Sequence, residues 1–263
     1  VFYIIFRFGK EFKHKKELFN SLEGFECANI IKNLWKLPQR SINRVKKYLS
    51  IHKVPFILLK KQREIERIRI TNDNFQLGSL VLVAYSFPSE NGSIRKRKHV
   101  SRLLKRSPYL RLTRNIYAWP QINFRRLLPQ GSKILSPRRF VDSIKELGGE
   151  TITIPRIKVD NNVALELLET IKDIRIKEFS SIELACKKLI QQLKESAVSL
   201  LKAKHSFNEI KIRFIQTKEI CFFLKKVYKI NIMKEYRKAL RAINNCKKVL
   251  QISSKMPMIS VVS

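Results

Sequence analysis

Cys27–Pro55, CANIIKNLWKLPQRSINRVKKYLSIHKVP, is the stretch whose reading decides the fold. Cys27, Ile30, Ile31 and Leu34 recur at three and four residues, the spacing that stacks side chains along one side of a helix. Lys36-Leu37-Pro38 then reads as a tight turn, and a second helix opens at Gln39-Arg40-Ser41. Ile42, Val45 and Leu49 share one side of that helix, and Arg40, Asn43, Arg44 and Lys47 fall on the other. An apolar back with an Arg/Asn/Lys front has the chemistry to enter a DNA major groove and touch base edges and phosphates.

Outward from this pair, Lys10–Leu22 reads as a preceding helix, and Val1–Phe8 as a strand or part of a longer first helix. After Pro55 come FILL, a polar KKQRE and IERIRI, where Arg67 and Arg69 alternate with Ile68 and Ile70. Alternation across a charged turn predicts a β-hairpin. Three helices and a hairpin are the order of a winged helix-turn-helix, expected over residues 1–75. The plainer alternative is a helical hairpin with a basic outer face.

Residues 76–160 change character. LVLVAYSF is a near-continuous apolar run suited to a buried strand, and Pro88–Gly92 is a turn signal. Ser93–Leu112 reads as a helix, Asn115–Pro120 as a strand, Pro137–Leu147 as a helix stopped by Gly148-Gly149, and Thr151–Val159 as a strand. That order predicts a central ferredoxin-like α/β sandwich, with any fourth strand unassigned. Beyond it, Ile182, Ala185, Leu189, Leu193, Ala197 and Leu200 keep helical spacing. With a break at His205–Asn208 and a last helix from about Gln216 to Leu250, they predict a C-terminal helical hairpin over 161–263. The fold class expected is α+β. No internal repeat stands out.

Charge bounds the function. The 263 residues carry 55 Lys and Arg against 21 Asp and Glu, a net +34. Such an excess repels itself in a compact state and invites a polyanion, nucleic acid foremost. Cys27, Cys186, Cys221 and Cys246 are far apart and sit in apolar patterns, which fits a reducing cytoplasm rather than a disulfide framework. No apolar run reaches the roughly 18 residues of a spanning helix.

Catalysis finds little support. His14, His52, His99 and His205 lack metal-ligand spacing, and no glycine-rich nucleotide loop or nucleophile elbow occurs. No catalytic residue, metal or cofactor is therefore expected. Binding is better supported: between Glu90 and Asp142 lie fourteen Lys and Arg and no carboxylate. Arg95, Lys96, Arg97, Lys98, Arg102, Lys105 and Arg106 fall largely on the outer side of one helix. Solvated helix faces usually mix Glu with Lys to limit repulsion, and this one does not. Clustered cations of this kind neutralise phosphates. Tyr109, Tyr117 and Trp119 lie nearby and have faces for stacking, although strand aromatics favour a core.

The stretches LVLVAYSFPSENGSIRKRKHVSRLLKRSPYLRL, NIYAWP and FVDSIKELGGETITI, placed after a winged-helix pattern, resemble the PaaX-like transcriptional regulators. The middle segment is also similar to the N-terminal region of ChrB-type chromate-resistance regulators. The resemblance implies a cytoplasmic, homodimeric, non-enzymatic regulator that binds double-stranded DNA. In that picture Arg40, Asn43, Arg44 and Lys47 enter the groove, and Arg67 and Arg69 touch the backbone. The middle segment resembles the small nuclease of CRISPR adaptation too, but Ala84-Tyr85-Ser86-Phe87 lacks the metal-holding Asp that those enzymes place at the end of the first strand. The competing expectation is a structured-RNA or ribosome-associated protein, for which +34 is ordinary.

Overall fold

In the computed structural model, which describes residues 1–8, 12, 14–70, 75–88 and 93–253, the chain forms two compact units. The first comprises residues 1–130 and 135–171, and the second residues 131–134 and 172 onward. Residues 1–75 and 76–160, expected as separate domains, both fall in the first apart from residues 131–134.

The apolar start of the chain is strand β1 (Phe2–Phe6), followed by α1 (Lys15–Gly24), β2 (Ala28–Ile31), β3 (Leu34–Leu37), a 3-10 turn at Gln39–Ser41, α2 (Ile42–Ile51) and β4 (Phe56–Lys61). A two-stranded ribbon of β5 (Arg69–Ile70) and β6 (Phe75–Gln76) intervenes. Then come β7 (Leu80–Ser86), α3 (Ser93–Lys105), β8 (Leu110–Thr113), β9 (Ile116–Pro120), a short α4 (Phe124–Leu127), α5 (Pro137–Glu146) and β10 (Glu150–Val159). The strands make one eight-stranded antiparallel sheet, ordered β2-β3-β1-β4-β10-β7-β9-β8.

This overturns the winged helix-turn-helix. Cys27–Trp35, expected as its first helix, is the turn into β2 and a hairpin, with Ala28 opposite Lys36 and Asn29 opposite Trp35. Among the described residues the expected wing does not form either: β4 lies between β1 and β10, and Arg69 pairs with Gln76 in the separate ribbon. The physical reason is burial on both faces. Leu34, Trp35 and Leu37 are all 1% exposed or less, so β3 has no alternation to betray it. Ile30, Ile31 and Leu34 then mimic a helical stripe.

An internal repeat, also not expected, emerges from the topology. Strands β1–β4 with α1 and α2, and strands β7–β10 with α3 and α5, run β-α-β-β-α-β with the same strand order. The likeness reaches single bonds. Phe6 N–H donates to the Asn33 carbonyl at 3.2 Å, and Tyr85 N–H to the Asn115 carbonyl at 3.0 Å. The hairpin register slips between Asn29 and Ile31 in one half and between Arg111 and Thr113 in the other. Lys15 Nζ lies 5.2 Å from the Phe8 ring centre, and Lys96 Nζ 5.8 Å from that of Phe87.

Each half buries one sheet face under its helices. Ile4, Phe6, Trp35 and Leu37 meet Leu18, Leu22, Val45 and Leu49; Val83, Tyr85, Tyr117 and Trp119 meet Val100, Leu104, Phe140 and Ile144. The opposite faces are also dry, with Ile5, Leu34, Ile57 and Leu59 of one half and Leu82, Ala84, Leu110 and Ala118 of the other at 1% exposure or less. Their cover is each other. The sheet doubles back so that β1 approaches β8 and β2 approaches β7, and Arg7 Nε donates to the Leu112 carbonyl at 3.1 Å. Each large aliphatic removed from water contributes on the order of 2 kcal/mol, so closing this face is a major stabilising term. The helices are left on the two outer layers.

β10 stitches the halves together. Glu150–Ile154 pair with β7, Ile157–Val159 pair with β4, and a bulge separates the two runs. At that bulge Arg156 has φ +59°, and its N–H donates to Gln121 Oε1 at 2.6 Å.

The second unit is helical: the remainder of α6 (Asn161–Lys194), then α7 (Leu200–Tyr228) and α8 (Met233–Ser253). Three helices thus stand where a hairpin was expected. The break lies at 195–199, and His205–Asn208 sit inside α7. Phe179, Ile182, Cys186, Ile220, Leu224, Ala239 and Cys246 fill the unit's interior, together with Arg175, which pairs with Glu178 at 2.8 Å.

Candidate nucleic-acid interface

Both hairpins turn on a basic residue followed by asparagine: Lys32-Asn33 joins β2 to β3, and Arg114-Asn115 joins β8 to β9. Lys32 takes φ +48° and Asn115 φ +68°, left-handed values common in two-residue turns. Because the sheet doubles back, the two turns converge on one cleft of about 690 Å³. Its lining also includes Phe19 of α1, Tyr85, Phe87 and Pro88 at the end of β7, and Arg97 of α3. None of these lining residues carries a carboxylate. Lys32, Arg97 and Arg114 therefore repel one another: the Lys32 amine is held below its ordinary range, first by partial burial and then by Arg114 and Arg97. An anion entering the cleft relieves that repulsion and meets two guanidiniums able to bind phosphate oxygens in a fork.

The cleft opens beside the helix expected to bind. On α3, Arg95, Arg97, Lys98, Arg102 and Lys105 are exposed and Lys96, over Phe87, is half-buried, as is Arg106 in the turn after the helix. Val100, Leu103 and Leu104 anchor the other side of the helix in the core. One side is thus fixed and apolar, and the other is a row of cations.

The other expected residues do not join this surface. Asn43, Arg44 and Lys47 are exposed on α2, in the outer layer of the first half. Arg40 is ion-paired with Glu26, which offsets part of its charge. Arg67 is exposed in the connection after β4, and Arg69 lies in the small ribbon. Tyr117 and Trp119 belong to the core, where Trp119 Nε1 donates to Ser107 Oγ at 2.6 Å, and Tyr109 packs edge-on against Tyr117. Lys32 and Arg114 were not anticipated. The one signal available was a motif that occurs twice, Lys32-Asn33-Leu34-Trp35-Lys36-Leu37-Pro38 and Arg114-Asn115-Ile116-Tyr117-Ala118-Trp119-Pro120.

The ends of the two equivalent first strands carry no acid: Arg7 follows β1 and Ser86 closes β7. Arg7 is committed to Leu112 and, at 2.6 Å, to Glu166. Among the described residues, no group of three or more His, Cys, Asp or Glu converges as metal ligands, and no helix is long and apolar enough to cross a membrane. No protein-family model, curated protein or solved structure matches the chain.

Proposed function

We propose that this chain is a non-enzymatic nucleic-acid-binding protein that grips the sugar-phosphate backbone of a duplex, double-stranded DNA foremost, in a regulatory role. In this reading its two β-α-β-β-α-β halves are ferredoxin-like modules that form an internal pseudo-dimer. The observation that carries the proposal is the carboxylate-free cleft of Lys32, Arg97 and Arg114, continuous with the cationic side of α3. Single-strand binders of comparable sheet architecture stack bases on an open sheet face. Here both faces are buried, which favours recognition of backbone over base. Selectivity then comes from duplex shape, and affinity from released counterions. A homodimer, as the resemblance implies, would form through a surface other than the sheet.

The test is the salt dependence of duplex binding. Arg97→Gln/Arg114→Gln is expected to flatten the slope of log affinity against log salt by about two, one per lost phosphate contact. Unchanged affinity and slope in this variant overturn the proposal. The net charge of +34 favours structured RNA as a second reading. Sequencing the nucleic acid that co-purifies with the chain separates the two, since genomic duplex and ribosomal RNA give different reads.

A further inference from the structure

A second concentration of charge lies in the helical unit, far along the chain from α3. Lys225 in the last turn of α7 and Lys234, Arg237, Lys238 and Arg241 of α8 line a pocket of about 570 Å³ with Asn231 and Met233. The spacing puts the four α8 cations along one side of the helix. Asn231 shapes the mouth of the pocket: its Oδ1 accepts from Met233 N–H at 3.2 Å and starts α8 there. The lining contains no carboxylate, although Lys238 also faces Glu183 of α6, which Lys187 holds at 2.8 Å.

Five cations in one concavity exceed what a solvated helix side needs and cost self-repulsion. The far side of α8 shows that the sequence has neutral choices, since Ala239, Ile243, Cys246 and Leu250 turn inward there. Met233 is the lone apolar side chain in the lining and no aromatic is present, so the pocket offers nothing on which a base could stack. A ligand there would be recognised through phosphate alone.

We propose that the α7–α8 junction is a binding site for a chain of closely spaced phosphates. One phosphate would engage two or three of the cations; five call for several phosphates in succession. Two sources share that chemistry: an inorganic polyphosphate, and consecutive phosphodiesters of a nucleic-acid strand. The site does not depend on the cleft of the first unit and goes beyond it.

Calorimetry on the full chain tests the site, with inorganic tripolyphosphate and a thymidine oligonucleotide as probes. The proteins compared are the unaltered chain, Arg237→Gln/Arg241→Gln and Arg97→Gln/Arg114→Gln. Tripolyphosphate affinity is expected to fall about tenfold or more in the α8 variant, because each lost charge-assisted contact is worth that order, and to be kept in the cleft variant. Oligonucleotide affinity falling in parallel identifies a strand as the ligand, and tripolyphosphate affinity falling by itself identifies a free phosphate chain. The proposal is overturned if the unaltered chain does not bind tripolyphosphate, if the α8 variant binds it equally well, or if the loss follows the cleft variant instead. Lys234→Gln/Lys238→Gln repeats the measurement with different side chains should Arg237→Gln/Arg241→Gln lose helicity. Failure here leaves the duplex salt slope of the cleft variant untouched, so the two proposals fail separately.

Discussion

Lys53 and Gly148 hold the same position in the two halves, one residue past the cap of the second helix. Both are left-handed, at φ +49° and +72°. Both donate their N–H three residues back, to Ser50 and Lys145, at 3.2 and 2.8 Å. The next residues, Val54 and Gly149, each donate to the carbonyl five residues back, at 2.9 Å. A helix C-terminus closed in this way prefers glycine, because a side chain at positive φ costs about 1 kcal/mol or more.

Lys53→Gly should therefore stabilise the protein, and Gly148→Ala should destabilise it by about 1 kcal/mol. Denaturant titration reads both. Equal and small effects at the two sites would contradict the equivalence of the halves. Gly149→Ala should cost more than Gly148→Ala, because its Cβ would stand 2.7 Å from both Ile144 and Phe87.

Ser107 is fully buried and serves two neighbours: its Oγ accepts from Trp119 Nε1 and donates to the Leu135 carbonyl at 3.1 Å. Ser107→Ala strands both groups and should lower stability by about 1–3 kcal/mol. The indole fluorescence of Trp119 should shift with it. A thermal midpoint within a degree of the unaltered protein would refute this assignment.

Lys32 carries a pH prediction. Its amine titrates below the unfolded value, so between the folded and unfolded pKa the unfolded chain holds more protons. Stability consequently rises with pH through that window, and the penalty is fully present below it. Lys32→Gln should remove this rise and raise the unfolding midpoint at low salt, with the gain fading as salt screens Arg97 and Arg114. A phosphate in the cleft pulls the amine back toward its ordinary range, so duplex binding at alkaline pH should take up protons. Calorimetry in buffers of different ionisation enthalpy measures that uptake.

The cysteines should be silent. All four are buried; burial pushes the Cys27 and Cys221 thiols up to about 11, and Cys246, which its hydrogen bond with Cys186 draws below the ordinary thiol range, is shielded by its burial alone. A disulfide reagent at pH 8 is expected to label none of them in the native protein within minutes and all four in denaturant. Rapid native labelling of Cys27 would mean that the first half opens readily.

Most of the second half was legible in the sequence because its elements carry punctuation, but strand β8, Leu110–Thr113, was hidden in the end of the helix expected over Ser93–Leu112. Gly148-Gly149 ends α5, and β7 is an unbroken apolar run next to the soluble face of α3. The first half was not. β1 and β3 are buried on both sides and lose the alternation that marks strands, and Lys53 replaces the glycine that would have announced the helix end. The repeat was hidden for the same reason: Trp35 answers Tyr117 and Val45 answers Phe140, so the packing is alike while the residues differ. Of the candidate interface, the side of α3 could be read from the sequence because its charges are consecutive. The cleft could not, since Lys32 and Arg114 meet only once the sheet has doubled back.

That doubling, made within one chain, has a consequence for polarity. A two-fold symmetric pair of identical subunits presents the same surface after half a turn and cannot tell one end of its ligand from the other. Here the equivalent outer helices differ in charge. Among the described residues, α1 mixes Lys15 and Lys16 with Glu17 and Glu23, whereas α3 carries only cations. A duplex lying across both would meet a strong end and a weak end, so the bound protein would point in a defined direction along it.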